Sequence, residues 1–218
     1  MNVKSQMDRI YGEIPLAQIP WNIEQPPAVL VDLVESGRVS PCETLDLGCG
    51  AGNHAVWLAG LGFRVTGIDL SAAAIAYAEA LACLRGVSCR FVVADLVAAP
   101  PPFDAAFDFA FEWEVLHHML PAERPRYVAG VHQMLGAGAT YLSVCFAEND
   151  PGLPGDGKLR TTPLGTVLYL SSEQELSALF EPLFDIEELS TISVEGRRTA
   201  HRAVRTLMRK SGQLRCCT

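Results

Sequence analysis

The sequence lacks several things, and each absence narrows the field. It has no run of 18 or more apolar residues, so no membrane-crossing helix is expected. Its opening residues, MNVKSQMDRIYGEIPL, contain no apolar signal core, so a cleaved secretion signal is not expected either. There is no CxxC pair and no Cys/His ladder of zinc-site spacing, so no metal site is expected. The cysteines (Cys42, Cys49, Cys83, Cys89, Cys145, Cys216, Cys217) are odd in number and scattered, which fits reduced thiols and a cytoplasmic location. Positive charge is also short: 17 Lys+Arg face 25 Asp+Glu, a formal net charge of −8. Such a surface works against broad contact with a polyanion, and no basic-aromatic stripe suggests a nucleic-acid platform.

What is present is ordinary for a globular protein: 218 residues, 49% hydrophobic and 19% charged. That length is enough for one domain, 1–218, with a substantial core. The charge is uneven, because Arg197, Arg198, Arg202, Arg205, Arg209, Lys210 and Arg215 follow Gly196 with no acid among them. A charged, solvated edge strand is the expected cause.

Along the chain, residues 1–25 read as irregular, punctuated by Pro15 and Pro20, with Pro26 and Pro27 opening a helix over AVLVDLVESG. Strand and helix signals then alternate: TLDLG, NHAVWLAGLG, FRVTGID, AAAIAYAEALACLR, CRFVVAD, FDFAFEW, RYVAGVHQML and TYLSVCFA. Residues 148–165, rich in Gly, Pro and Asp, form the one long loop and are read as a substrate-side loop. A helix over SSEQELSALFEPLF opens with a capping-box pattern, and FDIEELSTISV and TAHRAVRTLMR close the chain as a hairpin. Alternating elements predict an α/β, Rossmann-like doubly wound sheet of seven strands, helices on both faces and the last strand antiparallel.

The most informative stretch is LDLGCGAGN, where an apolar strand runs into Gly48, Cys49, Gly50, Gly52 and Asn53 before a helix. Glycines there let the main chain turn tightly and approach a ligand. The pattern is not the dinucleotide fingerprint, since position 53 is Asn, and no Gly-Lys-Ser/Thr follows to make a phosphate loop. Asp69 ends VTGID, where a carboxylate can accept from both hydroxyls of a ribose, and Asp95 ends FVVAD, where an acid can face an adenine amine. The nearest Lys or Arg is Arg64, so a cationic, phosphate-free ligand suits the turn better than a phosphate.

These strings resemble class I S-adenosylmethionine-dependent methyltransferases over residues 40–147. LDLGCGAGN is similar to the family's first motif. The resemblance implies that Asp69 binds the ribose, that Asp95 meets the adenine amine, and that Leu70 and Leu96 line the adenine slot. It also implies that Glu112 and Trp113, in FDFAFEWEVLHHM, approach the methionine part of the cofactor. The turn Leu135, Gly136, Ala137, Gly138, Ala139 stands where relatives carry L-x-P-G-G. Tyr11, Pro20 and Trp21 resemble the aromatic N-terminal cover of small-molecule methyltransferases such as the thiopurine and thiol groups, which makes residues 1–25 a cover and Trp21 a partner for a sulfonium.

The resemblance implies an enzyme that moves a methyl group from S-adenosylmethionine to a small-molecule acceptor, leaving S-adenosylhomocysteine. Such a displacement draws on positioning, with a base required only for a protonated nucleophile. His118 and His117 are the candidate bases. Glu112, Trp113, Glu114 and Val115 lack the Asn/Asp-Pro-Pro-Tyr pattern of amino-nitrogen base methyltransferases, which favours a small molecule over nucleic acid. No membrane is expected as a partner, and a monomer or homodimer is expected in solution. The alternatives are a metalloid or soft-metal methyltransferase, prompted by Cys216 and Cys217, and a non-catalytic module that only binds S-adenosylmethionine.

Overall fold

In the computed structural model, residues 3–153, 155–197 and 199–211 are described. They fall into two compact units, one ending at Asp95 and the other beginning at Leu96.

The first unit contains α1 (Val3–Glu13), α2 (Ala28–Glu35), β1 (Glu43–Leu47), α3 (Asn53–Gly60), β2 (Arg64–Asp69), α4 (Ala72–Arg85) and β3 (Arg90–Val93). Its strands are parallel in the order β3-β2-β1, with Leu47 opposite Ile68 and Asp69 opposite Val93. Leu45, Leu47 and Ile68 are fully buried, as expected for strands covered on both faces. Ser71 caps α4 by accepting from Ala74 N at 3.3 Å, and Gly86 ends it in the left-handed conformation that glycine adopts without penalty.

The N-terminal segment departs from the expected irregular stretch. Residues 3–13 form α1, whose Ile10 and Tyr11 are buried. The prolines that suggested irregularity begin only at Pro15, and a Lys4–Asp8 ion pair at 2.9 Å spans one helical turn ahead of them. β3 ends at Val93, two residues short of Asp95.

The second unit contains β4 (Phe107–Trp113), a short 3₁₀ turn (Leu116–His118), α5 (Arg124–Met134), β5 (Leu135–Phe146), β6 (Leu159–Thr161), β7 (Val167–Tyr169), α6 (Glu173–Phe180), β8 (Phe184–Glu195) and β9 (Ala200–Lys210). β4 and β5 are parallel, whereas β9 is antiparallel to both β5 and β8. With the first unit's three strands, these give the seven strands of the doubly wound class, the last strand antiparallel and helices on both faces. Ser172 and Glu175 complete the capping box of α6. Tyr141, Phe180 and Phe184 pack as a buried aromatic cluster with centroids 5.5–6.4 Å apart.

Three further expectations are corrected here. β9 is not the edge strand, because it lies between β5 and β8; its Arg205 and Arg209 pair with Glu188 and Glu187 of β8. The Leu135–Ala139 turn is extended and opens β5, and Gly138 alone takes a left-handed φ of 70° there. The 148–165 loop is not wholly irregular: its Leu159–Thr161 pairs antiparallel with Val167–Tyr169. Arg198, Arg215, Cys216 and Cys217 lie outside the described residues.

Candidate functional site

The first unit's site is built on the turn after β1. Gly48, Gly50 and Gly52 all take left-handed φ values, 71°, 53° and 80°, so the backbone requires what the sequence supplied. Gly48 N and Cys49 N both donate to Ile68 O, at 2.7 and 2.9 Å, locking the turn onto β2. A Cβ at Gly52 would lie 2.7 Å from Ala78 Cβ and 3.0 Å from Ala78 Cα, so this glycine lets α4 approach. A Cβ at Gly50 would lie 2.7 Å from Tyr11 Oη, so the second glycine faces the N-terminal helix instead.

Asp69 is the hinge of this site. Its Oδ2 accepts from Gly50 N at 2.9 Å and its Oδ1 from Ser71 N at 2.8 Å. Burial raises its pKa, against the lowering effect of the Ser71, Gly50 and Leu70 amides, and the charge of Asp8 adds to the rise.

Asp46, on β1, was not singled out in the sequence reading. It is 3% exposed, and its Oδ2 has no hydrogen-bond partner. Burial pushes its carboxyl well above the usual range, and the charge of Asp69 reinforces this. Among the described residues, neither Asp46 nor Asp69 has a cationic partner. The only signal in the sequence was an acid inside an otherwise apolar strand, LDL.

The N-terminal segment is tied over this turn. Tyr11, buried, accepts from Trp21 Nε1 at 3.0 Å through its hydroxyl, and Trp21 itself is half-buried. Asp8 Oδ1 accepts from Ser71 Oγ at 2.8 Å and from Ala72 N at 3.0 Å. Asn53 Nδ2 donates to Asn22 Oδ1 at 2.9 Å. Cys49 is buried, and burial with the charges of Asp46 and Asp69 keeps its thiol protonated. Leu70 and Asp95 are half-buried.

In the second unit Leu96 is 8% exposed, and the predicted residues of β4 behave differently from one another. Glu112 is fully buried and completely engaged: Oε2 accepts from Val115 N at 2.8 Å and Leu116 N at 3.1 Å, and Oε1 from Ser143 Oγ. Burial outweighs those donors and raises its pKa to about 7. Trp113 is half-buried. Arg124, which sequence reading missed, is 4% exposed and braces the region after β4. Its guanidinium donates to Met119 O, Leu116 O, Tyr169 O and Ser171 Oγ at 2.7–3.2 Å.

The two histidines also differ. His117 is 2% exposed, stacks on Phe146 with centroids 4.4 Å apart, and accepts from Phe146 N through Nδ1 at 3.3 Å. Burial holds it well below its ordinary pKa, so it is a neutral packing group. His118 is half-buried and is pushed down to about 4 by burial, which leaves a neutral ring at physiological pH.

Lys158 and Arg160, inside the 148–165 segment, are both engaged, Lys158 partly with α6 and Arg160 with the segment's own carbonyls. Lys158 bridges Glu148 and Glu175 at 2.8 and 2.6 Å, and Arg160 donates to Leu153 O, Gly155 O and Gly157 O.

Comparison with known proteins identifies the family and the fold. Residues 44–138 match the methyltransferase-domain family. The chain is 32% identical over 197 residues to the 2-heptyl-1-hydroxyquinolin-4(1H)-one methyltransferase of Mycobacteroides abscessus, covering 87% of this chain and 80% of that protein. A structure solved in work on the conversion of a disulfide bond into a thioacetal group during echinomycin biosynthesis superposes with a TM-score of 0.82 at 25% identity, over 96% of this chain and 93% of the other. An S-adenosylmethionine-dependent methyltransferase from Methanosarcina mazei superposes with a TM-score of 0.73 at 25% identity, over 88% of this chain and 100% of the other.

Proposed function

The chain belongs to the class I S-adenosylmethionine-dependent methyltransferases, and from that premise we propose that it methylates a small, neutral heteroaromatic acceptor on a hydroxyl oxygen. The acceptor class follows the M. abscessus relative, whose substrate is a hydroxyquinolone. The observation that carries the cofactor assignment is the pairing of Asp69, bonded to Gly50 N, with the unpartnered Oδ2 of Asp46. Two acids without a cation around a glycine turn fit a cationic, phosphate-free nucleoside and would repel a nucleotide phosphate.

In this reading Gly48, Cys49, Gly50, Gly52 and Asn53 present backbone to the cofactor. Asp69 accepts from the ribose hydroxyls, and Asp46 receives the ammonium end. Leu70, Asp95 and Leu96 border the adenine, and Trp21 covers the sulfonium. Glu112 and Trp113 belong to the methionine side, with Glu112 acting through the backbone it orders, because its oxygens are already engaged. When bound, the cofactor supplies an electrophilic methyl carbon and a neutral thioether leaving group. His118 orients the acceptor with a neutral ring nitrogen, and His117 positions it. Residues 1–25 act as a cover, and the 148–165 segment selects the acceptor as part of a single methyltransferase domain. Cytoplasmic activity without a nucleic-acid or membrane partner, by a monomer or homodimer, completes the proposal.

The test is a panel of acceptors, headed by 2-heptyl-1-hydroxyquinolin-4(1H)-one and including phenols, thiols, amines and arsenite, read as released S-adenosylhomocysteine. Turnover with hydroxylated heteroaromatics supports the reading. Turnover with arsenite alone would move it to metalloid chemistry, and binding without turnover on any acceptor would leave only a binding module.

A further inference from the structure

Glu112 and Glu114 stand two residues apart at the end of β4, and only the first is engaged. Glu114 has a left-handed backbone, φ 65°, a conformation shared by only one other non-glycine among the described residues, Ala105. A non-glycine residue is strained there, and such strain clusters where a side chain must be aimed. The backbone is pinned by Glu114 N donating to Val144 O at 2.8 Å. Its side chain is half-buried, yet among the described residues its carboxylate accepts no hydrogen bond and meets no cation.

The neighbouring groups explain why it stays unpartnered. The Arg124 guanidinium is engaged with three carbonyls and Ser171. Asp150 is held by His201 Nδ1 at 2.7 Å and by the Gly152 and Arg202 amides. His117 uses Nδ1 on Phe146 N. The charges that act on Glu114 are those of Glu112 and Asp150, both acids, while Arg124, His117, His118 and His201 are the other titratable groups of this region. Burial, then those two acids, push Glu114 up to about 8.

We propose that Glu114 is the general base that takes the acceptor's proton, and that the acceptor enters uncharged, its nucleophile still carrying hydrogen. The inference rests on the methyltransferase reading above. As the oxygen–carbon bond to the methyl group forms, the carbon–sulfur bond breaks with its electron pair left on sulfur. The O–H proton passes to a Glu114 carboxylate oxygen and leaves to solvent after turnover. An anionic acceptor is disfavoured, because Glu112 and Asp150 surround the same carboxylate with negative charge.

The experiment uses the full chain, S-adenosylmethionine and 2-heptyl-1-hydroxyquinolin-4(1H)-one, with Glu114→Gln and Glu114→Asp. For the wild type, the rate should rise with pH as Glu114 loses its proton, then level off. Glu114→Gln should lower kcat about 100-fold, within the range of a positioned base, and follow the acceptor's own ionisation instead. Glu114→Asp should recover part of the rate, and S-adenosylhomocysteine affinity should be unchanged in both. Wild-type kcat and pH limb in Glu114→Gln would overturn the inference, as would loss of S-adenosylhomocysteine binding in that variant. If the wild type leaves this compound unmethylated, the hydroxyl-acceptor reading fails. Carbon NMR of the Glu114 carboxyl in the S-adenosylhomocysteine-saturated protein then decides the inference. Titration near neutrality supports it, and titration in the ordinary carboxylate range overturns it.

Discussion

Asp46 on β1 and Glu112 on β4 are both buried acids, and the protein treats them in opposite ways. Glu112 has both oxygens satisfied by Val115 N, Leu116 N and Ser143 Oγ. Asp46 keeps one oxygen with no partner at 3% exposure. A buried polar atom without a partner costs stability, so Asp46 carries a defect that is repaired at Glu112. A site meant to receive a ligand can hold such a defect because the ligand completes it.

The largest effect expected from this contrast falls on the repaired region. Arg124→Ala should cost about 3–5 kcal/mol of stability, since it strands Met119 O, Leu116 O, Tyr169 O and Ser171 together. Arg124→Lys should rescue little, because one ammonium cannot reproduce a planar fork of donors. Denaturant unfolding measures both, and a near-wild-type midpoint for either would break the contrast.

Next comes the glycine turn. Gly50→Val should lower S-adenosylhomocysteine affinity by about 100-fold or more, equivalent to about 2.7 kcal/mol, through a left-handed φ and the Tyr11 hydroxyl beside it. Calorimetric titration and a circular dichroism spectrum together separate lost binding from lost fold. Wild-type affinity would make the turn purely structural.

The smallest effects sharpen the comparison most directly. Glu112→Ala should destabilise by about 1–3 kcal/mol, leaving two amides and a hydroxyl unpaired. Asp46→Asn should do the reverse. The folded-state pKa of Asp46 is raised, so the unfolded chain loses its proton first and stability falls as pH climbs above the unfolded value of about 4. Asparagine removes that cost, so Tm should rise at pH 7.5 and the gain should vanish below about pH 4, while S-adenosylhomocysteine binding weakens. Thermal melts at both pH values test the sign, and a lower Tm at pH 7.5 would contradict it.

Much of this was legible in the sequence, for reasons that differ by residue. Gly48, Gly50 and Gly52 were readable because left-handed backbone leaves glycine little competition. The β8–β9 hairpin was readable because a short connection forces antiparallel pairing. The α1 helix was not, since its signal is one Lys4–Asp8 pair and two buried residues ahead of a conspicuous row of prolines. The arginines of β9 by themselves suggest an edge, whereas in the fold they answer Glu187 and Glu188 on the strand outside it; the family resemblance, which places the last strand antiparallel between the fifth and sixth, agrees with the observed order. Arg124, Asp46 and Glu114 were least legible of all. What distinguishes them is whether distant groups such as Ser171, Tyr169 or Val144 arrive to satisfy them, and no local pattern records that.

Isothermal titration of S-adenosylhomocysteine into the wild type and Asp69→Ala tests the central claim most directly. Asp69 ties the glycine turn to β2, and in the proposed reading its loss would also remove an acceptor for two ribose hydroxyls, each such bond worth about 1.5–3 kcal/mol. The account predicts saturable binding to the wild type and at least about tenfold weaker binding to Asp69→Ala. No binding to the wild type, or equal affinity in the two proteins, would contradict it.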